Sequence, residues 1–202
     1  MFPLSSVLLP HMPYPVRIFE ERYLVMLARV LQDDSNRFGI VLIERGTDAG
    51  GGDARFGTGC VGVIQEVEGE DGAVIVLLRG TERFRIVDRL PDDPHPLATV
   101  EYLDELEWDD DLLFVLERAE QIVRRTLALA SEYADSMLPA DVDLVDEPVA
   151  RSWQLAGISP LGELDRLTLL RSESLRELLD GIIESTLAVE QTIGAVWGED
   201  PE

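Results

Sequence analysis

The stretch from Gly57 to Val87, GTGCVGVIQEVEGEDGAVIVLLRGTERFRIV, decides the fold, because it carries strand-forming runs and the turn chemistry between them. Cys60, Val61, Val63, Ile64 and Val67 make one apolar run, Gly69–Gly72 (GEDG) supplies turn residues, and Ala73–Leu78 makes a second run rich in β-branched side chains. After the polar Arg79–Arg83, the residues Phe84, Ile86 and Val87 resume the alternation, which predicts a third strand after a bend at Gly80. Such a meander is not stable alone in water, so the flanking sequence must cover its apolar face.

Working outward, Phe2–Leu9 reads as a short strand, and three prolines at 10, 13 and 15 predict a rigid connection without regular pairing. Tyr23, Met26, Leu27, Val30 and Leu31 recur at spacings of three and four, which predicts a helix over Glu20–Leu31. Phe38–Ile43 and Leu97–Leu103 read as further strands, and the glycine-rich Gly46–Gly59 (GTDAGGGDARFGTG) as a surface loop leading into the meander. Beyond Asp104 the period changes to a helical one. Apolar stripes predict helices over Asp109–Met137, Val149–Leu155, Leu161–Leu170 and from about Leu175 onward, with Ser159–Pro160 starting the third and Ser172 capping the fourth. Gly181 inside the last helix suggests close packing, and the tail from Gly198 frays. Two domains are therefore expected, a β-rich one over 1–104 and a helical one over 105–202.

The balance of 40 acids against 17 basic residues gives a formal net charge of −23, heavier in the second half, which disfavours nucleic acid and anionic membrane as partners. Every basic residue is arginine. Without lysine there is no phosphate loop of the Walker type, no serine–lysine dyad and no Schiff base. Cys60, the single cysteine, has no disulfide partner within the chain and reads as a small buried side chain. No leader-like segment and no run of 18 apolar residues is present, which makes the cytoplasm the default expectation. His11 and His95 lie in proline-rich segments without ligand spacing, the acid triplet Asp109–Asp111 lacks the donors and glycine of a calcium loop, and Pro160 after Ser159 removes an amide that a nucleophile elbow needs. No cofactor is expected.

In order along the chain, Phe2-Pro3-Leu4, Leu9-Pro10, Pro15, Ile18-Phe19-Glu20-x-Arg22-Tyr23, Phe38-Gly39-Ile40-Val41, Gly57-Thr58 and Arg79-Gly80-x-x-Arg83-Phe84-Arg85-Ile86 closely resemble the amino-terminal domain of the Lon protease family. The resemblance implies an α+β protein: a PUA-like antiparallel β-barrel with a short helix, followed by an α-helical bundle. It also implies a role in engaging protein substrates and in assembly, with ATP hydrolysis and proteolysis residing in later domains of full-length members. A chain of 202 residues is then expected to be a stand-alone member lacking those domains.

From these residues the expected function is a non-enzymatic protein-binding module with an apolar groove between barrel and helices; the alternative is an adaptor or regulator docking onto a larger protease or other assembly. Met12, Tyr14, Ile18 and Phe19 surround a proline-fixed turn and are the apolar candidates for peptide contact. Arg79, Arg83 and Arg85 are the charged candidates, able to hold a carboxylate bidentately or to pair with Glu66, Glu68, Glu82 or Asp88. The expected partners are polypeptide or unfolded protein segments, a protease or chaperone complex and, weakly, a second copy; nucleic acid and membrane are not.

Overall fold

A computed structural model describes residues 1–45, 54–70, 72–131 and 139–197. Most of the predicted glycine-rich loop, Asp71 of the predicted turn, the end of the helix predicted to reach Met137, and the tail from Gly198 lie outside them. The chain divides into two compact units, Met1–Glu105 and Leu106–Glu202.

Among the described residues the first unit holds six strands and one helix: β1 Phe2–Leu4, β2 Pro13–Ile18, α1 Glu21–Gln32, β3 Arg37–Arg45, β4 Ala54–Glu70, β5 Ala73–Leu90 and β6 Leu97–Tyr102. β4 and β5 form one long hairpin, and Gly72, at φ +76°, takes the left-handed conformation that its turn demands. The strand order is β1-β3-β4-β5-β2. The flank of β5 opposite β4 is shared by β2, along Val74–Arg79, and β6, along Phe84–Leu90. Ile18, Tyr23, Met26, Ile40, Val76, Leu78 and Phe84 fill the core.

The α+β class holds, but three features of the predicted sheet need correction. The meander has two strands in place of three, because β5 runs unbroken through Gly80 with only a register shift against β4 between Cys60 and Gly62. Gly80 serves a close approach and not a bend: a Cβ there would collide with the Leu9 carbonyl, and its amide and carbonyl bond Met12 and His11. Second, the proline-bearing segment is a strand. β2 runs antiparallel to β5 with Tyr14 opposite Leu78 and Val16 opposite Val76. Pro13 and Pro15 have no amide to give, so Tyr14, Val16 and Ile18 supply the donors of that ladder, and the prolines face away from β5, where a missing donor costs no bond.

Third, the sheet is mixed and open, not an antiparallel closed barrel: β1 runs parallel to β3, and no pairing joins β1 to β2 at the ends of the path. The reason lies in the edges. Pro3 pairs opposite Val41 with no amide of its own, so Phe2 and Leu4 bond β3 and Pro3 turns its carbonyl outward. On β2 the outward positions are Pro13, Pro15 and Arg17. Of these outward positions only Arg17 has an amide, so the two edges hold few donors with which to pair.

The second unit comprises α2 Leu113–Ser131, preceded by a single 3-10 turn at Asp110–Leu112, then α3 Pro148–Ile158, α4 Glu163–Leu170 and α5 Leu175–Trp197. Leu116, Val123 and Leu127 on α2 and Leu178, Leu179 and Ile182 on α5 are buried. Asp109 caps the 3-10 turn by accepting from the Asp111 amide. Pro148 opens α3 as predicted, and Glu147 accepts from the Val149 and Ala150 amides. Two predicted caps are displaced. Ser159 ends α3, donating its hydroxyl to Leu155 O, and Gly162 precedes α4; Ser174, not Ser172, accepts from the Glu177 amide at the start of α5. Gly181 does mark close packing, since a Cβ would stand 2.8 Å from Leu169 Cδ2.

Candidate functional site

β1 and β2, the unpaired ends of the sheet, together with the start of α1 line a depression of about 270 Å³. Phe2 and Leu4 contribute from β1, Tyr14 through Ile18 from β2, and Phe19, Glu20 and Tyr23 from the turn into α1 and its first residues. The alternation of β2 sets the roles. Val16 and Ile18 point into the core, Ile18 being only 1% exposed, while Pro13, Pro15 and Arg17 face solvent. Phe19, where the strand gives way to the helix, is 50% exposed at the mouth of the depression.

Polar groups brace the rim. The Arg17 guanidinium bonds Glu70 at 2.8 Å and stands 5.7 Å from the centre of the Phe19 ring. Arg22 bonds Glu20 at 3.0 Å and stands 4.5 Å from the centre of the Tyr23 ring. Phe2 packs on Tyr23 with ring centroids 4.5 Å apart, so the floor is a fixed aromatic pair.

Of the four apolar candidates, Tyr14, Ile18 and Phe19 meet in this depression. Met12 does not line it; it is half-buried in the turn before β2, where its carbonyl accepts from Gly80 N. The three arginines are dispersed. Arg83 is buried and donates to the Asp104 carbonyl at 2.6 Å, tying down the end of the first unit. Arg85 lies 3.7 Å from Glu101 across β6, an exposed pair. Arg79 is exposed opposite Pro13, with no ion pair among the described residues. Glu82 bonds Arg37 at 3.1 Å, and its carboxyl is held below the usual value by the Thr81 hydroxyl, its own backbone amide and Arg37.

Sequence reasoning missed Phe2, Leu4, Pro15, Val16, Arg17, Glu20 and Tyr23 as lining residues. The signal was present as the alternation Tyr14-x-Val16-x-Ile18, but the prolines that blunt a strand edge are also the residues that argue against a strand.

The other candidates fall into structural roles. The Cys60 thiol is buried, and burial pushes it up to about 12. His95 is buried, which lowers its pKa; its Nδ1 lies 3.3 Å from Pro96 O. Among the described residues no three His, Cys, Asp or Glu side chains stand together to hold a metal, and no helix is long and apolar enough to cross a membrane.

The α+β unit followed in the chain by a helical unit is the fold of solved Lon amino-terminal domains. Residues 1–186 match the model of the ATP-dependent protease La (LON) substrate-binding domain, and the chain belongs to that family. The chain is 26% identical over 188 residues to the Lon protease of Escherichia coli K12, covering 89% of this chain and 23% of that protein. The Lon protease of Shigella dysenteriae is equally similar, with 22% of it covered, so the chain spans less than a quarter of these relatives. Among solved structures, a Lon N-terminal domain protein from Xanthomonas campestris superimposes with a TM-score of 0.62 at 26% identity, covering 93% of this chain and 95% of that one. The N-terminal domain of a Mycobacterium avium complex Lon protease gives a TM-score of 0.64 at 18% identity, with 91% and 94% covered, a likeness of fold.

Proposed function

We propose that the chain is a non-enzymatic module that binds unfolded polypeptide segments in the depression between β1 and β2, as the substrate-binding name of its family suggests. The observation that carries this reading is Phe19. A large aromatic side chain held half in solvent, above a floor of buried aromatics, offers a binding partner apolar area already desolvated on one side. Binding needs neither nucleotide nor metal, and the cytoplasm is the proposed setting.

The partner is basic or neutral and unfolded, because a chain of net charge −23 repels acidic ones. The test is equilibrium binding of reduced, carboxamidomethylated lysozyme, a basic unfolded chain, to wild type and to a Tyr14→Ala/Phe19→Ala variant whose fold is first checked by circular dichroism. Wild type binds without added nucleotide, and the variant loses about tenfold or more in affinity. Equal binding by a folded variant rejects the site.

A second reading, an adaptor that docks onto a protease or other assembly, is favoured by Phe114, which is 75% exposed beside the exposed Leu113 at the start of α2. A complex of fixed stoichiometry that Phe114→Ala dissolves and Phe19→Ala leaves intact distinguishes it from the first.

A further inference from the structure

The outward edge of β2 carries an unusual set of backbone groups. Its ladder to β5 uses Tyr14, Val16 and Ile18, so Pro13, Pro15 and Arg17 present their backbone to solvent. An ordinary edge would offer a carbonyl and an amide at each of these positions. Here there are three carbonyls and a single amide, that of Arg17. The outward carbonyls accept no hydrogen bond within the described residues, and the side chains of all three positions are exposed. The edge is therefore an acceptor row beside an apolar depression, on a chain of net charge −23.

We propose that the bound segment is a basic, extended strand that adds to the outer edge of β2, donating amides from every second residue to the carbonyls of Pro13, Pro15 and Arg17. This rests on the polypeptide-binding reading above and specifies how the polypeptide is held. Strand addition draws its affinity from main-chain bonds and its selectivity from side-chain pockets, so it suits a module that must accept many sequences. The prolines add a restriction. The segment gives more amides than it receives, so loss of an amide at the donating residues is costly, whereas its own carbonyls find one donor. The same lack of donors hinders two copies of this chain from pairing through β2, leaving the edge open for a client.

The experiment uses a fluorescein-labelled peptide, KTVTFTVTK, in which each backbone amide is N-methylated in turn, titrated with the full chain. Methylation at two or three alternate residues weakens binding about tenfold while the intervening positions stay within about twofold. In the reciprocal variant, Pro15→Ala, an outward amide is restored under an exposed side chain, and the unmethylated peptide binds about threefold or more tighter. If every methylated peptide binds like the parent, or all are weakened alike, strand addition is wrong while the depression still stands as a side-chain site, provided that Phe19→Ala weakens the parent peptide. If the parent peptide does not bind wild type at all, the polypeptide-binding reading fails and this inference fails with it.

Discussion

Gly80 has no room for a side chain, because the Leu9 carbonyl oxygen occupies the place where a Cβ would go. Backbone cannot retreat as the tip of a side chain can, so Gly80→Ala should lower the unfolding free energy by more than about 2 kcal/mol. Gly57→Ala, with nothing within 4 Å of its Cβ, should stay within about 0.5 kcal/mol; denaturant titration of the pair checks both. The sequence shows a glycine inside a strand pattern, which signals either a bend or a close approach. Only the position of Leu9, remote in the chain, decides between them. Cys60 gives a second test at this scale. Its thiol is pushed from 9.0 to about 12 by burial, so the folded chain keeps a proton that the unfolded chain releases above pH 9. The contribution to stability is whole below pH 9 and falls as pH rises toward 12, by up to about 1.4 kcal/mol per pH unit. The stability difference between wild type and Cys60→Ala should shrink over that window, and the native thiol should resist alkylation at pH 8 until the chain unfolds.

Among the elements, β2 departs most from its sequence expectation. Three prolines within six residues argue for a rigid connection, yet Pro13 and Pro15 share a parity and fall on the unpaired side of an edge strand, where they are harmless to the fold. Replacing both with alanine restores two outward amides without touching Tyr14, Val16 or Ile18. The variant should keep its secondary structure and self-associate more strongly than wild type in sedimentation velocity; identical sedimentation would show that the prolines do not guard the edge. The helices were easier to read, since a stripe of period 3.6 is a local property, and α1 and the body of α2 lie close to where their stripes place them. Their ends were less legible. Ser159 and Ser172 both satisfy the composition of a cap, but the hydroxyl of Ser159 bonds back into α3, and Ser174 is the residue that reaches a free amide. At Gly181 a methyl group would meet only the end of Leu169, a side chain that can shift. Gly181→Ala should therefore change stability by less than about 1 kcal/mol, the gain in helix propensity offsetting the repacking in thermal unfolding.

For the molecule as a whole, the change of period after Asp104 divides a β-rich part from a helical one in the sequence alone, and the ordered motifs from Phe2-Pro3-Leu4 to Arg85-Ile86 carry the family likeness and the α+β class it implies. The open sheet is not legible in this way. Whether β1 and β2 meet depends on which side of each strand its prolines face, and that parity is set by pairing with β3 and β5, which are distant in sequence. The depression follows from the opening, so the candidate site was legible only in its β2 half. The net charge of −23 makes its own prediction: association with basic peptides should slow as salt rises from 20 to about 300 mM, with dissociation nearly unchanged if contact at the depression is largely apolar and main-chain. Where on the chain a peptide lands is most directly seen by amide chemical-shift mapping of the ¹⁵N-labelled full chain titrated with KTVTFTVTK. Binding between β1 and β2 predicts that the largest shifts cluster at Leu4, Tyr14, Arg17, Phe19 and Tyr23, with Arg17 gaining protection from exchange; largest shifts within 106–197, or none anywhere, would contradict it.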